Sequence, residues 1–170
     1  AERWDIYRVF NQMHHSGPRW PWLMWVRSGQ KDLMDFALAN TRIVADVGFC
    51  HHSRPEFEKL GWPKGKIRGA LTDYKGLVPW HSGSRTPDYN SMTAFLMWHY
   101  YFTGDGWTRD VANMWGELAK RQGPTGGSRT GAGTVRANLD LYRATWDTDL
   151  IPIYRKTADA LLASQFPDGS

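Results

Sequence analysis

Apolar residues recur along much of this chain at intervals of three and four, the period of a helix buried on one side. The clearest run lies between Lys31 and Phe49, where Leu33, Phe36, Ala37, Ile43, Val44 and Val47 share a face. Trp4, Tyr7, Phe10 or Asn11, and His14 predict an earlier helix over 2–15, which Ser16-Gly17-Pro18 closes with a C-terminal glycine and a following proline. Residues 20–27 form a short aromatic segment, Trp20-Pro21-Trp22-Leu23-Met24-Trp25. Helical spacing resumes over 90–103 and 107–122, and again over 135–145 and 148–165. Asp147 or Thr148 offers a cap for the last of these, and Pro152 falls in its first turns. The pattern predicts an all-α fold.

Two stretches break it. Residues 51–89 carry Pro55, Pro63, Pro79, Pro87 and several glycines, and read as a long loop insertion, with a small hairpin expected at Lys66–Leu71 and Gly76–Trp80. Loops this long inside a compact domain are usually functional. Residues 123–134 are rich in Gly, Ser and Thr. They lack the Gly-Lys-Ser/Thr ending of a phosphate loop and no strand is expected before them, so a nucleotide role is set aside in favour of a mobile loop at the rim of residues 81–90.

A weak internal repeat organises the helices. Ser28-Gly29-Gln30, Thr103-Gly104-Asp105 and Thr145-Trp146-Asp147 stand in register, and eight residues after each first position come Phe36, Val111 and Ile153. Each triplet is expected to turn one helix into the next. The chain then reads as about three helical hairpins in series, with the 51–89 insertion after the first, burying their apolar faces by stacking.

Composition narrows the class. Ten Trp, seven Tyr and seven Phe in 170 residues rule out a disordered chain. Cys50 is alone, which rules out a disulfide scaffold and fits a cytosolic or an exported protein. No apolar run is long enough to span a membrane, so no membrane partner is expected. The net charge of +4 comes from scattered basic residues and reads first as ordinary surface charge; an anionic small molecule or polysaccharide fits it as well as RNA, and with no nucleic-acid motif no nucleic-acid partner is expected. The chain starts without Met and stops in a loop-like stretch, so it is expected to be part of a longer protein and to partner the remainder of that polypeptide.

Candidate chemistry concentrates between Lys75 and Asn90. His81 is a potential base, Arg85 a fixed cation, Asp88 a carboxylate and Tyr89 a phenol, all in a Gly/Pro-punctuated loop leading into a helix. Ser84, Thr86 and Asp88 serve equally well as turn and cap residues. In the following helix Phe95, His99 and Phe102 share one stripe, and Leu96, Tyr100 and Thr103 another. His99 is therefore either turned to a barrel axis or a core histidine. His51-His52 and His14-His15 lack zinc-type spacing, so no metal is expected; interaction of histidine with a helix C-terminus is the simpler account of the first pair.

The run Phe95-Leu96-Met97-Trp98-His99-Tyr100-Tyr101-Phe102-Thr103-Gly104-Asp105 resembles the hairpins of (α/α) toroid enzymes acting on carbohydrate, and Gln165-Phe166-Pro167-Asp168-Gly169-Ser170 resembles a loop that recurs between them. With Trp80-His81-Ser82-Gly83 and Asp88-Tyr89-Asn90, the chain is most similar to the exo-acting rhamnogalacturonan lyases. The resemblance covers residues 90–170 well and 1–50 loosely. It implies an incomplete (α/α) toroid, an acidic oligo- or polysaccharide substrate, no cofactor, and β-elimination next to a uronate. In that chemistry a cation neutralises the carboxylate, a base takes the C5 proton and an acid protonates the leaving oxygen. Arg85 suits the first task because guanidinium pairs a carboxylate in two-pronged fashion. His81 or His99 suits the second, and Tyr89 or Tyr100 the third. Trp80, Trp98 and Trp107 are expected as sugar platforms, with Asn90, Arg129 and Arg136 as further contacts, whereas Trp4, Trp25 and Trp115 look like hairpin packing. A six-hairpin glycoside hydrolase would need two carboxylates, from Asp73, Asp88 and Asp105. A non-catalytic helical-repeat saccharide-binding module is the third reading.

Overall fold

A computed structural model describes residues 18–49, 51–52, 68–69, 93–122 and 128–166. Six α-helices lie within them: α1 (Arg19–Ser28), α2 (Lys31–Val47), α3 (Thr93–Thr103), α4 (Gly106–Gln122), α5 (Ser128–Thr145) and α6 (Ile151–Ala163), with a 3-10 turn at Thr148–Leu150 before the last. No strand occurs among the described residues, which are all-α as their periodicity predicts. The expected helix over 2–15 lies outside them. So does the expected hairpin near 66–80, apart from a turn at Arg68 and Gly69.

Two boundaries differ from the pattern. The Gly/Ser/Thr stretch is not a loop throughout, because α5 starts at Ser128. Its C-terminal half is anchored by buried Ala137 and Leu141, and a helix anchored by packing extends through residues of poor propensity. At the other end, Pro152 is the second residue of α6, where its missing N–H costs no helical hydrogen bond. The α-helix therefore begins at Ile151, and residues 148–150 tighten into a 3-10 turn capped by the Asp147 side chain.

The three triplets form the same turn. In each, the Ser or Thr hydroxyl donates to the carbonyl four residues back: Ser28 to Met24, Thr103 to His99 and Thr145 to Leu141. The same oxygen accepts the backbone N–H two residues on, from Gln30, Asp105 and Asp147. The middle residue is left-handed in all three, with φ of 68° at Gly29, 73° at Gly104 and 57° at Trp146. Glycine takes that conformation without penalty, whereas at Trp146 it costs about 1–2 kcal/mol. The packing half of the repeat is looser. Val111 and Ile153 are buried, but Phe36 is exposed and the neighbouring Ala37 is buried in its place.

Each two-residue turn folds its helices back on one another, so α1 packs on α2, α3 on α4, and α5 on α6. Across the hairpins α1 and α5 both touch α3, while α2 touches α4. This central position buries α3 on nearly every side, from Thr93 through Met97 and again at His99, which explains why its sequence is apolar all round. Trp22, Phe95, Leu96, Val111, Trp115, Leu118, Leu141 and Leu150 fill the core. Two buried polar groups are paired across helices: the Trp22 indole donates to Thr41 at 2.9 Å, and Thr93 to the Ala137 carbonyl at 2.9 Å. Gly116 lets α4 approach α5, since a Cβ there would meet Leu141 at 2.5 Å.

The third hairpin does not repeat the sense of the second. Asp147, in its turn, pairs with Lys120 near the end of α4, whereas the second turn joins α4 at Gly106. From Gly106 to Lys120 a helix rises about 21 Å. The two turns therefore lie at opposite ends of α4. The end carrying the third turn is also where α3 begins and α4 stops.

Candidate functional site

The densest described group of polar and aromatic side chains gathers around the second turn, between the C-terminal half of α2 and the start of α4. Arg42 and Asp46 sit four apart on one face of α2, and the Arg42 Nε donates to both Asp46 oxygens at 3.2 Å. Arg42 Nη1 reaches the Asp105 carboxylate at 2.8 Å, tying the first hairpin to the second turn. Asp105 is a cap as well, because its Oδ1 accepts the Trp107 backbone N–H at 3.0 Å. The Trp107 indole N–H donates to Asp46 at 2.7 Å, and the His51 ring stacks on Trp107 with centroids 4.9 Å apart. His51 Nε2 lies 2.8 Å from the Ala45 carbonyl and 3.2 Å from that of Asp46, so it satisfies the C-terminal carbonyls of α2.

His99 lies beneath this group and is only 6% exposed. Trp22 meets it edge to face at 6.2 Å. Its Nδ1 is 3.3 Å from both the Thr103 and the Thr108 hydroxyl oxygens. The two hydroxyl protons are already given to the His99 and Asp105 carbonyls. Nδ1 must then carry the ring proton, shared between the two oxygens, and Nε2 keeps the lone pair. Burial pushes the His99 pKa below its ordinary value; Asp105, with Oδ2 3.8 Å from Nδ1, opposes this, and Arg42 adds to it. The neutral ring is thus built into the turn as a hydrogen-bonded core histidine.

The other expected contacts that lie within the described residues are dispersed. Trp98 is partly buried against the core, with the Arg19 guanidinium 5.4 Å above its ring. Tyr100 packs similarly under Arg109, at 5.2 Å. Arg136 is drawn toward Asp140 on its own helix at 3.9 Å. Arg129 lies in α5, and its side chain is outside the described residues. Trp80, His81, Arg85, Asp88, Tyr89 and Asn90 lie outside them as well. The chain enters α3 at Thr93, about 15 Å in helical rise from Thr103. His99 lies mid-helix with its Nδ1 toward the second turn, and Trp107 lies just past that turn.

Several residues were not anticipated. The Arg42–Asp46 pair was legible as an i,i+4 spacing, but its cross-hairpin partner Asp105 was not. Lys120 bonds to Asp147 and, at 2.9 Å, to Glu117, and its hydrogen bond holds the Asp147 carboxyl below the usual range. Trp146 is 76% exposed in that same turn. Among the described residues no three His, Cys, Asp or Glu side chains are grouped to hold a metal, and no helix is long and apolar enough to cross a membrane. No family model, curated protein or solved structure matches the chain.

Proposed function

We propose that the chain is part of the helical toroid of a polysaccharide lyase that cleaves a uronate-containing, rhamnogalacturonan-like saccharide by β-elimination. The observation that carries this reading is the threefold hairpin turn, with the same hydroxyl bonds and left-handed residue each time. It supports the hairpin unit to which the sequence is similar. In this reading Arg85 neutralises the substrate carboxylate, His81 removes the C5 proton, and Tyr89 protonates the leaving oxygen, with Asp88, Asn90, Trp80 and Arg129 lining the site. Burial of His99 and the engagement of its Nδ1 with two hydroxyls favour His81 over His99 as the base.

Pectic fragments incubated with the protein test it. A lyase product absorbs in the ultraviolet through its new C4–C5 double bond, and His81→Ala is expected to slow its appearance about a hundredfold or more. Reducing ends without that absorbance mean hydrolysis instead. Wild-type turnover in His81→Ala removes the base assignment.

A second reading, a saccharide-binding helical-repeat module, draws support from the third hairpin. Its turn faces the opposite end of α4 from the second turn, whereas successive hairpins of a closed ring repeat in one sense. Saccharide binding with neither product distinguishes it.

A further inference from the structure

The third turn departs from its two counterparts in one respect. Where Gly29 and Gly104 take the left-handed conformation freely, the chain places Trp146, a bulky side chain whose Cβ opposes it. The indole gains little burial in return, since 76% of the residue stays in water. Its one described ring contact is edge-on to Tyr142, at 6.0 Å. Tyr142 in turn leans on Tyr154 at 6.4 Å, so the exposed indole is backed by a row of partly buried rings. A strained backbone carrying an exposed aromatic ring is not explained by folding stability, and such strain concentrates where a side chain is presented for binding.

Its surroundings indicate the ligand. Trp146 is not part of a broad apolar face: Asp147 and Lys120 form an ion pair beside it, and Thr148 and Asp149 follow, both exposed. An open aromatic face bordered by hydroxyl, carboxylate and ammonium groups matches a pyranose, which has one C–H face and a rim of hydroxyls. Lys120, the cation of that ion pair, is already bonded to Asp147 and Glu117 and so is not available to a uronate, and a neutral sugar unit fits best.

We propose that Trp146, backed by Tyr142, is a stacking platform for a neutral pyranose ring of an oligosaccharide, at the end of the helical array where α3 begins and α4 ends. It is separate from Trp107, which lies at the other end of α4 with its indole N–H held by Asp46 and its ring covered on one side by His51. The choice of a saccharide rests on the proposed carbohydrate function; the presentation of Trp146 for binding does not.

The test uses the whole 170-residue chain and rhamnogalacturonan oligosaccharides bearing neutral galactan side chains, with binding followed by calorimetry and by tryptophan fluorescence. Trp146→Gly and Trp146→Asn both suit the left-handed backbone. Freed of the backbone penalty, they are expected to melt no lower than wild type, yet to weaken binding about tenfold or more. Trp146→Tyr, which keeps an aromatic face, retains an intermediate affinity. Unchanged binding in the glycine and asparagine variants overturns the platform, as does equal loss in all three variants, or absence of binding by the wild type. Self-association that disappears with Trp146, without saccharide binding, also overturns it in favour of a contact between copies. Lyase activity reports separately: binding lost in Trp146→Gly by a protein that forms no unsaturated product upholds the platform and removes the lyase, while unsaturated product with unaltered Trp146→Gly binding does the reverse.

Discussion

The indole N–H of Trp107 donates to the carboxylate of Asp46 at 2.7 Å, joining the start of α4 to the last turns of α2 across a sequence separation that no local pattern spans. Asp46 also accepts from Arg42, which in turn bonds to Asp105. The hairpins are therefore held together at this end by a chain of charged hydrogen bonds laid over an apolar core, and the ring of His51 covers one side of it.

Asp46→Ala leaves the Trp107 donor unpaired while Arg42 keeps Asp105. All these groups are partly exposed, so the loss is expected to be modest, about 1 kcal/mol of unfolding free energy. Trp107→Phe keeps a ring beside His51 and removes only the donor. A double-mutant cycle between the two by urea denaturation should give a coupling of about 0.5–1.5 kcal/mol. Strict additivity would mean that the bond contributes nothing.

His99 supplies a pH dependence whose sign follows from its burial. Its folded pKa lies below the unfolded value of 6.5, so the unfolded chain binds the extra proton. The stabilisation is complete above 6.5 and is lost as pH falls through the folded pKa. The ring resonances of His99 should titrate below 6.5, and melting temperature should fall on acidification below neutrality less steeply in His99→Gln than in wild type. A His99 that titrates above 6.5 contradicts the buried, neutral assignment.

The helices and the three turns were legible in the sequence because each depends on residues within a few positions: a three-to-four spacing, a Ser or Thr hydroxyl, a left-handed glycine. Trp146 reads as a turn residue only because Thr145 and Asp147 flank it as Thr103 and Asp105 flank Gly104. What could not be read was any relation set by packing. Phe36 was expected to be buried like Val111, yet α2 is rotated so that Ala37 takes that place. The bonds of His99 to Thr108 and of Trp107 to Asp46 likewise join residues of different helices, which nearness in sequence does not reveal. The reversal of the third hairpin depends on Lys120 meeting Asp147, two residues that no periodicity links.

The glycines offer an ordering that stability measurements can check. A Cβ at Gly104 meets nothing within 4 Å, so Gly104→Ala incurs only the left-handed backbone penalty, about 1–2 kcal/mol. At Gly69 φ is 92°, and a Cβ would stand 2.4 Å from the Met114 carbonyl oxygen and 3.0 Å from its carbon. These are backbone atoms of α4 and cannot rotate aside. Gly69→Ala is therefore expected to cost about 3 kcal/mol or more. Equal losses at the two positions in denaturant titrations would show that α4 shifts freely and that its contact with Gly69 is not fixed.

Lys120 and Asp147 set the acid sensitivity of the third turn. The Lys120 ammonium lowers the folded pKa of Asp147 below the ordinary 3.8, aided by the Asp149 backbone N–H and opposed by partial burial. A carboxyl depressed in the fold contributes stability that is complete above its unfolded pKa and is lost as pH falls through the folded one. Hydrogen bonding to Asp147 and Glu117 outweighs burial at Lys120 and raises its pKa above 10.5, so its own contribution is present below 10.5 and lost at higher pH. Between these limits the pair is fully charged and stability should be insensitive to it. Asp147→Asn removes the charge but keeps an oxygen able to cap Asp149, so the turn can persist while the ion pair is lost. The stability difference between wild type and Asp147→Asn should be constant from pH 5 to pH 9 and shrink as pH falls below about 4. Lys120→Met should show the same loss of acid sensitivity without touching the cap. If both variants kept the wild-type acid profile, the pair would not be formed in solution, and the tie between the third turn and the end of α4 would have to rest on Gly116, Leu141 and Leu150 alone.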